Sequence, residues 1–346
     1  MKTIVKNVVS TAMYFGGMCW VWMKVTSGGR NIPIVFYHEV GNTAEGDSVE
    51  FSVNARNFEN QIKWLKNHYN VVSINTLVKH INGRLNLRGN PAAVAFDGGY
   101  KGNYQYAFPI LKKYQVPATI YVTTNSVDGN IPWERELLYL FSLTKKNQFN
   151  LFLSNREYHF EMKIFPQKRS IKKLIEEHMK RLNEDEQQEL LMEISYKLEV
   201  DISGLAHQLF LSWDQILEMN RNPLIDIGSH TLTHPRLTEV PLVEAKREIF
   251  ESKSHIENKL GEKITSFCYP DGYFSKEIIH LVKNAGYTFS LGVSVRGILN
   301  NQNKIGDDVF KLVRISMPNS SYIPLIASEI PGIMKVIKKA GRYFII

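Results

Sequence analysis

Cysteine is nearly absent: only Cys19 and Cys268 occur in 346 residues, far apart and in unlike surroundings. This excludes a disulfide framework and a zinc site built on paired thiolates, and it leaves the redox compartment open. Cys268, inside an apolar run, is expected to pack as a small hydrophobic residue. Also missing are any Lys/Arg run interleaved with aromatics and any nucleic-acid-binding motif, so nucleic acid is not an expected partner. No internal repeat or low-complexity tract is present. The uncharged stretch at residues 8–23 falls short of the roughly 20 apolar residues of a membrane span, and Gly16-Gly17 interrupts it. It follows Lys2 and Lys6 and closes at Lys24, a basic start and apolar centre without a small-x-small cleavage site. A membrane-associated helix is the first expectation for it; an export signal or anchor and a packed helix are the alternatives.

What is present points to a folded enzyme-sized chain. Hydrophobic residues make up 44% of it, enough for one large core or two smaller ones. The net charge of +8 and pI near 9.2 fit an anionic partner such as a membrane surface or an acidic glycan, or simply outer helices coated with Lys and Arg. Near the end, Ile333, Met334, Val336 and Ile337 alternate with Lys335, Lys338, Lys339 and Arg342, a pattern for a basic amphipathic helix at a bilayer or in solvent. The location expected is bacterial-type, membrane-associated or cytoplasmic, with export as the alternative.

Between these ends strands and helices alternate. Apolar, β-branched runs at residues 32–37, 71–74, 92–96, 117–122, 224–228, 264–269, 287–291 and 310–315 predict strands, and amphipathic spacing at 57–69, 74–80, 103–114 and 276–285 predicts helices. Pro241 and Gly261 bracket another helix, with proline at its start and glycine just past its end. Such alternation implies parallel pairing through right-handed crossovers. About seven βα units predict an α/β barrel of (β/α)7 type, with an open doubly wound sheet as the alternative. Residues 1–30 are then an apolar N-terminal segment, 31–325 the barrel, and 326–346 the basic helix. The barrel is interrupted at about 132–208 by a predicted β-hairpin (149–153 and 157–164) and two charged helices (170–182 and 184–198). Asn183 with Glu186, and Ser212 with Gln215, have the spacing of capping boxes. An insertion on a barrel loop is expected to lid or flank the site, or to decorate the fold without touching substrate.

Four polar clusters fall where predicted strands end: Tyr37-His38, Asp97, His230 with His234, and Pro270-Asp271. In a parallel barrel, functional groups gather at that edge. His230 follows a strand, and Pro235 keeps His234 out of the right-handed helical region, so the pair belongs to a loop rather than a helix face. Two imidazoles and a carboxylate leave a divalent metal, zinc first by ligand type, with a free position for water.

Those stretches carry a resemblance. Phe96-Asp97-Gly98-Gly99-Tyr100, Gly228-Ser229-His230-Thr231-Leu232-Thr233-His234 and Tyr269-Pro270-Asp271-Gly272 resemble the first three motifs of the polysaccharide deacetylase family, the NodB-homology or carbohydrate esterase 4 group. The resemblance implies a distorted (β/α)7 barrel and metal-dependent removal of acetyl groups from an N-acetylated glycan. It implies Asp97 as general base, His230 and His234 as metal ligands, and Tyr100, Tyr269, Pro270 and Asp271 as substrate-groove residues. Three departures accompany it. Gly98 stands where the family has a second, metal-binding Asp. Cys268 stands near the Arg that steadies the base. The last strand, 312–316, lacks the family's His general acid, leaving His38 as the proton donor expected from another strand end. The alternatives to a deacetylase are a glycan-binding barrel that has lost catalysis and a metal-independent amidohydrolase.

Overall fold

In a computed structural model of the chain, the structure describes residues 2–26, 31–41, 52–154, 156–293 and 303–331. The strands in chain order are β1 (Ile34–Tyr37), β2 (Glu39–Gly41), β3 (Ser52–Asn54), β4 (Asn70–Val71), β5 (Pro91–Gly98), β6 (Ala118–Val122), β7 (Gln148–Leu153), β8 (Arg156–Glu161), β9 (Ile225–Ser229), β10 (Ser266–Cys268), β11 (Phe289–Val293) and β12 (Leu312–Ser316). Seven of these close a barrel in the order β1-β12-β11-β10-β9-β6-β5, with β5 pairing back onto β1. Every pair around the ring is parallel, as crossover helices demand. The expected (β/α)7 barrel is therefore the fold, and the open sheet is not.

Period-2 alternation divides each strand between two cores. Ala93 and Ala95 of β5, with Ile34, Phe36, Tyr121, Cys268, Phe289, Leu291 and Leu312, pack inside the ring. Ala92, Val94 and Phe96, with Val35, Tyr37, Ile120, Val122, Ile225, Ile227 and Phe267, face the surrounding helices. One of those helices, Ala55–His68, buries Phe58, Ile62, Trp64 and Leu65 and is capped by the Asn54 side chain. Another, Leu242–Leu260, buries Ala245, Glu248, Ile249, Ser252 and Ile256, a stripe at helical spacing with one carboxylate in it.

Local departures from the sequence expectations have local causes. The strand predicted at 71–74 ends at Val71, because the Ser73 hydroxyl accepts from the Thr76 N–H and starts helix Ile74–Ile81. The helix predicted at 103–114 opens with a π turn, Asn103–Ala107, before α-helix Phe108–Tyr114, whose second residue, Pro109, has no N–H to give.

Residues Asp128–Gln208 form a separate compact unit. Its helix Trp133–Leu143, the antiparallel hairpin β7–β8, and helices Phe165–Met179 and Glu184–Leu198 enclose their own core of Leu137, Leu140, Phe149, Leu151, Ile175 and Ile194. Helix Trp133–Leu143 lacked a clear sequence signal. Both capping boxes form.

Before the barrel come helices Lys2–Phe15 and Met18–Thr26, separated at Gly16-Gly17. No helix among the described residues is long and apolar enough to cross a membrane. The last described helix is Ile323–Glu329; the basic pattern at 333–342 lies outside the described residues.

Gly228 of β9 pairs with Tyr121 of β6, and a Cβ built on it would lie 2.5 Å from the Tyr121 ring and 2.6 Å from Ser266 Oγ. Gly228→Ala should therefore destabilise the barrel by about 1–3 kcal/mol, as overpacking does, read as a lower urea midpoint with unchanged slope.

Candidate active site

The inward side of the strands turns polar at the carboxyl end of the barrel. Continuing the Ala93–Ala95 alternation, Asp97 points inward from β5 and is buried, as are His230 just after β9, Cys268 at the end of β10 and Arg314 in β12. These residues come from four different strands, and the closed ring is what brings them to one place.

Arg314 Nη1 donates to Asp97 Oδ1 at 2.5 Å. Its Nε donates to the Gly292 carbonyl at 3.2 Å, and its guanidinium lies 4.4 Å from the centroid of the Phe36 ring. Because β1 stands between β12 and β5, the arginine crosses Phe36 of β1 to reach the carboxylate. The Cys268 thiol also donates to Asp97 Oδ1, at 3.7 Å. Burial would push the Asp97 carboxyl up; the Arg314 guanidinium, with His230 and His38 nearby, outweighs it and holds the pKa at about 2. Burial also works against the charge of Arg314, and Asp97 more than restores it, so both partners stay ionised.

His230 Nδ1 lies 2.8 Å from the Cys268 carbonyl, which can only accept. Nδ1 therefore carries the proton, and Nε2 keeps its lone pair for a ligand. Burial lowers the pKa of His230, with Asp97 opposing, so the ring is neutral near pH 7. The His234 ring is 4.7 Å away, at 76° to it. Thr231 and His234 both have φ near +69°, in the left-handed region. The turn is held by Glu248, whose Oε2 accepts from the Leu232 and Thr233 N–H groups at 2.8 and 3.0 Å, while Oε1 accepts from Thr233 Oγ1 at 2.8 Å. The carboxylate in the buried stripe of helix Leu242–Leu260 is thus the support of the histidine loop.

His38, half-buried after β1, lies near enough to Asp97 to favour its ionised form. Asp271, exposed in the turn after β10, accepts from Arg236 Nη2 at 2.8 Å and Nε at 3.2 Å. Burial raises its pKa, but His234 and Arg236, with His230 behind them, bring it below the ordinary value. The other residues expected in a substrate groove are placed differently. Tyr269 is fully buried on the outward side of β10; its hydroxyl accepts from Ser290 at 2.7 Å and donates to the Phe310 carbonyl at 3.2 Å. Cys268 faces inward, so its neighbour must face the helices. Pro270 is buried, and Tyr100 packs its ring 5.0 Å from that of Phe210.

Two residues of the cluster escaped the sequence motifs, Arg314 and Glu248. The arginine expected near position 268 comes instead from β12, and the small Cys268 side chain leaves room for it. A charged residue inside the apolar run 312–315 was the available signal.

Asp97, His230 and Cys268 bring a carboxylate oxygen, a ring nitrogen and a sulfur within 4.8 Å of one another. His234 is not among these three; its ring stands 4.7 Å from that of His230, and a carboxylate with two imidazoles is a donor set of the type that suits zinc. Gly98 adds no ligand, and the space for one is filled. Its φ is +89°, and a Cβ there would meet the Tyr100 ring at 2.9 Å.

Two outcomes follow from this geometry. Gly98→Asp should cost roughly 1–3 kcal/mol and leave zinc affinity unimproved; a double-mutant cycle with Tyr100→Ala should give a coupling of about 1 kcal/mol from relief of the clash. Asp97, with its pKa lowered from 3.8 to about 2, contributes ~2 kcal/mol of stability that is complete above the unfolded value and lost as pH falls from about 4 to about 2. Arg314→Gln should remove that acid-side slope in urea titrations and cost roughly 3–5 kcal/mol at neutral pH, since it leaves a buried carboxylate uncompensated.

Known proteins share the fold and family of this chain. The family described as polysaccharide deacetylase matches residues 85–290. A Bacillus subtilis protein named as a polysaccharide deacetylase, YxkH, is 22% identical over 267 residues, 77% of this chain and 65% of its own length. A poly-β-1,6-N-acetyl-D-glucosamine N-deacetylase of Staphylococcus aureus is 37% identical over 81 residues, 22% of this chain and 27% of its own. The chain thus spans less than two thirds of either relative. Among solved structures, the Streptococcus pyogenes deacetylase PplD, in complex with acetate, superposes with a TM-score of 0.57 at 16% identity, covering 87% of this chain and 99% of that one, a likeness of fold. With the family match extending over more than half of its residues, the chain belongs to the polysaccharide deacetylase family.

Proposed function

We propose that this barrel is a carbohydrate N-deacetylase, hydrolysing the acetamido C–N bond of an N-acetylated surface glycan, with poly-β-1,6-linked N-acetylglucosamine as the first substrate class to test. The observation that carries the proposal is the ionised Asp97 held beside a neutral, correctly tautomeric His230 at the barrel mouth. Family membership supports the reaction class, and the name of the Staphylococcus aureus relative supports the choice of sugar.

His230 and His234 would hold a divalent cation, zinc first, which when bound supplies an acidified water and polarisation of the amide oxygen. A carboxylate of pKa about 2 is a weak base towards ordinary water, so Asp97 would need its water acidified to act as a base. The donors from Arg314 and Cys268 both bind Oδ1, which leaves Oδ2 to accept the proton of the attacking water. Arg314 positions that carboxylate. His38 would return a proton to the leaving amine. Asp271, held by Arg236 at the rim, faces both imidazoles and orients the sugar.

A second function, glycan binding without turnover, is favoured by one observation: the Tyr100 ring fills the place of the second carboxylate. Acetate release from β-1,6-linked N-acetylglucosamine oligomers in the presence of zinc separates the two. The enzyme should release acetate, and Asp97→Asn should slow it by at least ~100-fold with little change in oligomer affinity. Binding of the oligomer with no acetate above the Asp97→Asn background would leave the binder.

A further inference from the structure

The excess positive charge of this chain is confined to two stretches. Lys2, Lys6, Lys24 and Arg30 precede the first acidic residue, Glu39, and Lys335, Lys338, Lys339 and Arg342 follow the last, Glu329. These residues equal the whole net charge of +8, so residues 39–329 are neutral in sum. The fold packs the described chain just before the second stretch against the first. Helix Lys2–Phe15 packs on helix Ile323–Glu329, with Ser10 Oγ and Ser328 Oγ 3.0 Å apart in a buried contact and Thr11 bonded to the Tyr322 hydroxyl. The Pro331 carbonyl accepts from Trp22 Nε1 at 3.0 Å and from Asn31 Nδ2 at 3.1 Å. Lys335 is four residues further on, so chain length alone keeps its Cα within about 14 Å of that point.

The same two N-terminal helices turn apolar side chains outward. Val8, Phe15, Met18, Trp20, Val21 and Val25 are between 54% and 77% exposed. Met18, Val21 and Val25 stand at i, i+3 and i+7, one stripe along helix Met18–Thr26. Lys24 Nζ sits 4.7 Å from the centroid of the Trp20 ring. Grouped exposure of this kind marks an interaction surface rather than ordinary solvent contact.

We infer that the outward face of helices Lys2–Phe15 and Met18–Thr26 docks in the plane of an anionic bilayer, its apolar side chains at the headgroup–acyl boundary and the flanking cations on lipid phosphates. Neither helix is long enough to span, and in-plane seating satisfies both the apolar stripe and the charge. A second copy of this chain fits less well, because two faces carrying the same positive charge repel. The inference is independent of the proposed deacetylase chemistry.

Vesicle sedimentation with the full chain tests it. The protein should pellet with phosphatidylcholine vesicles containing phosphatidylglycerol and stay in solution with phosphatidylcholine alone. Binding should fall at least ~10-fold in high salt, in Trp20→Glu with Val21→Glu, and in Lys335→Gln with Lys338→Gln and Lys339→Gln. The substituted positions 20 and 21 are exposed, so an unchanged Tm confirms that the fold persists. Three results overturn the inference: no pelleting with anionic vesicles, equal pelleting with both compositions, or a concentration-dependent dimer that Trp20→Glu abolishes.

Discussion

The buried ion pair between Asp97 and Arg314 is the contact on which the rest of the site depends. Neither charge is tolerable alone in the barrel interior, where desolvation costs several kcal/mol per ion. Together they tie β5 to β12 across the intervening β1, over the face of Phe36. The bond closes the ring chemically as well as geometrically, and it decides that Asp97 stays ionised while one carboxylate oxygen remains open. Cys268, which in sequence looked like a loss, is part of the same arrangement, because a larger residue there would compete with the guanidinium for the space inside the ring.

A second support lies behind the histidines. Thr231 and His234 occupy left-handed backbone conformations that cost energy for residues with side chains, and three hydrogen bonds to Glu248 offset that cost. A carboxylate buried in a helix is expensive unless its acceptors are filled, and here the loop fills them. Helix Leu242–Leu260 thus supports the loop that carries the imidazoles. The His230 tautomer is set separately, by the Cys268 carbonyl, so one short strand end orients both the histidine and the aspartate.

The first motif is remodelled rather than merely shortened. Gly98 takes a φ that suits glycine, and the Tyr100 ring lies over it, anchored by Phe210. A Cβ at position 98 would meet that ring at 2.9 Å. Gly98 itself offers no side-chain oxygen to a cation.

Local pattern carried much of the fold. Apolar runs, their alternation with amphipathic helices, and the polar residues at strand ends made the parallel barrel, with Asp97 and His230 at its carboxyl edge, legible from sequence, because strand propensity, helix period and capping act over a few residues. Tyr269 lies outside the ring because, once Cys268 faces in, its neighbour must face out. Arg314 and Glu248 lay beyond such reasoning. Arg314 and Asp97 are 217 residues apart; Glu248 is 16 residues from Leu232, on a helix whose facing depends on how it packs. The sequence by itself determined which residue types stand at each strand end. Only the tertiary structure decided which of them share the barrel interior, because that depends on the order in which the ring closes, and a single chain pattern is compatible with more than one closure.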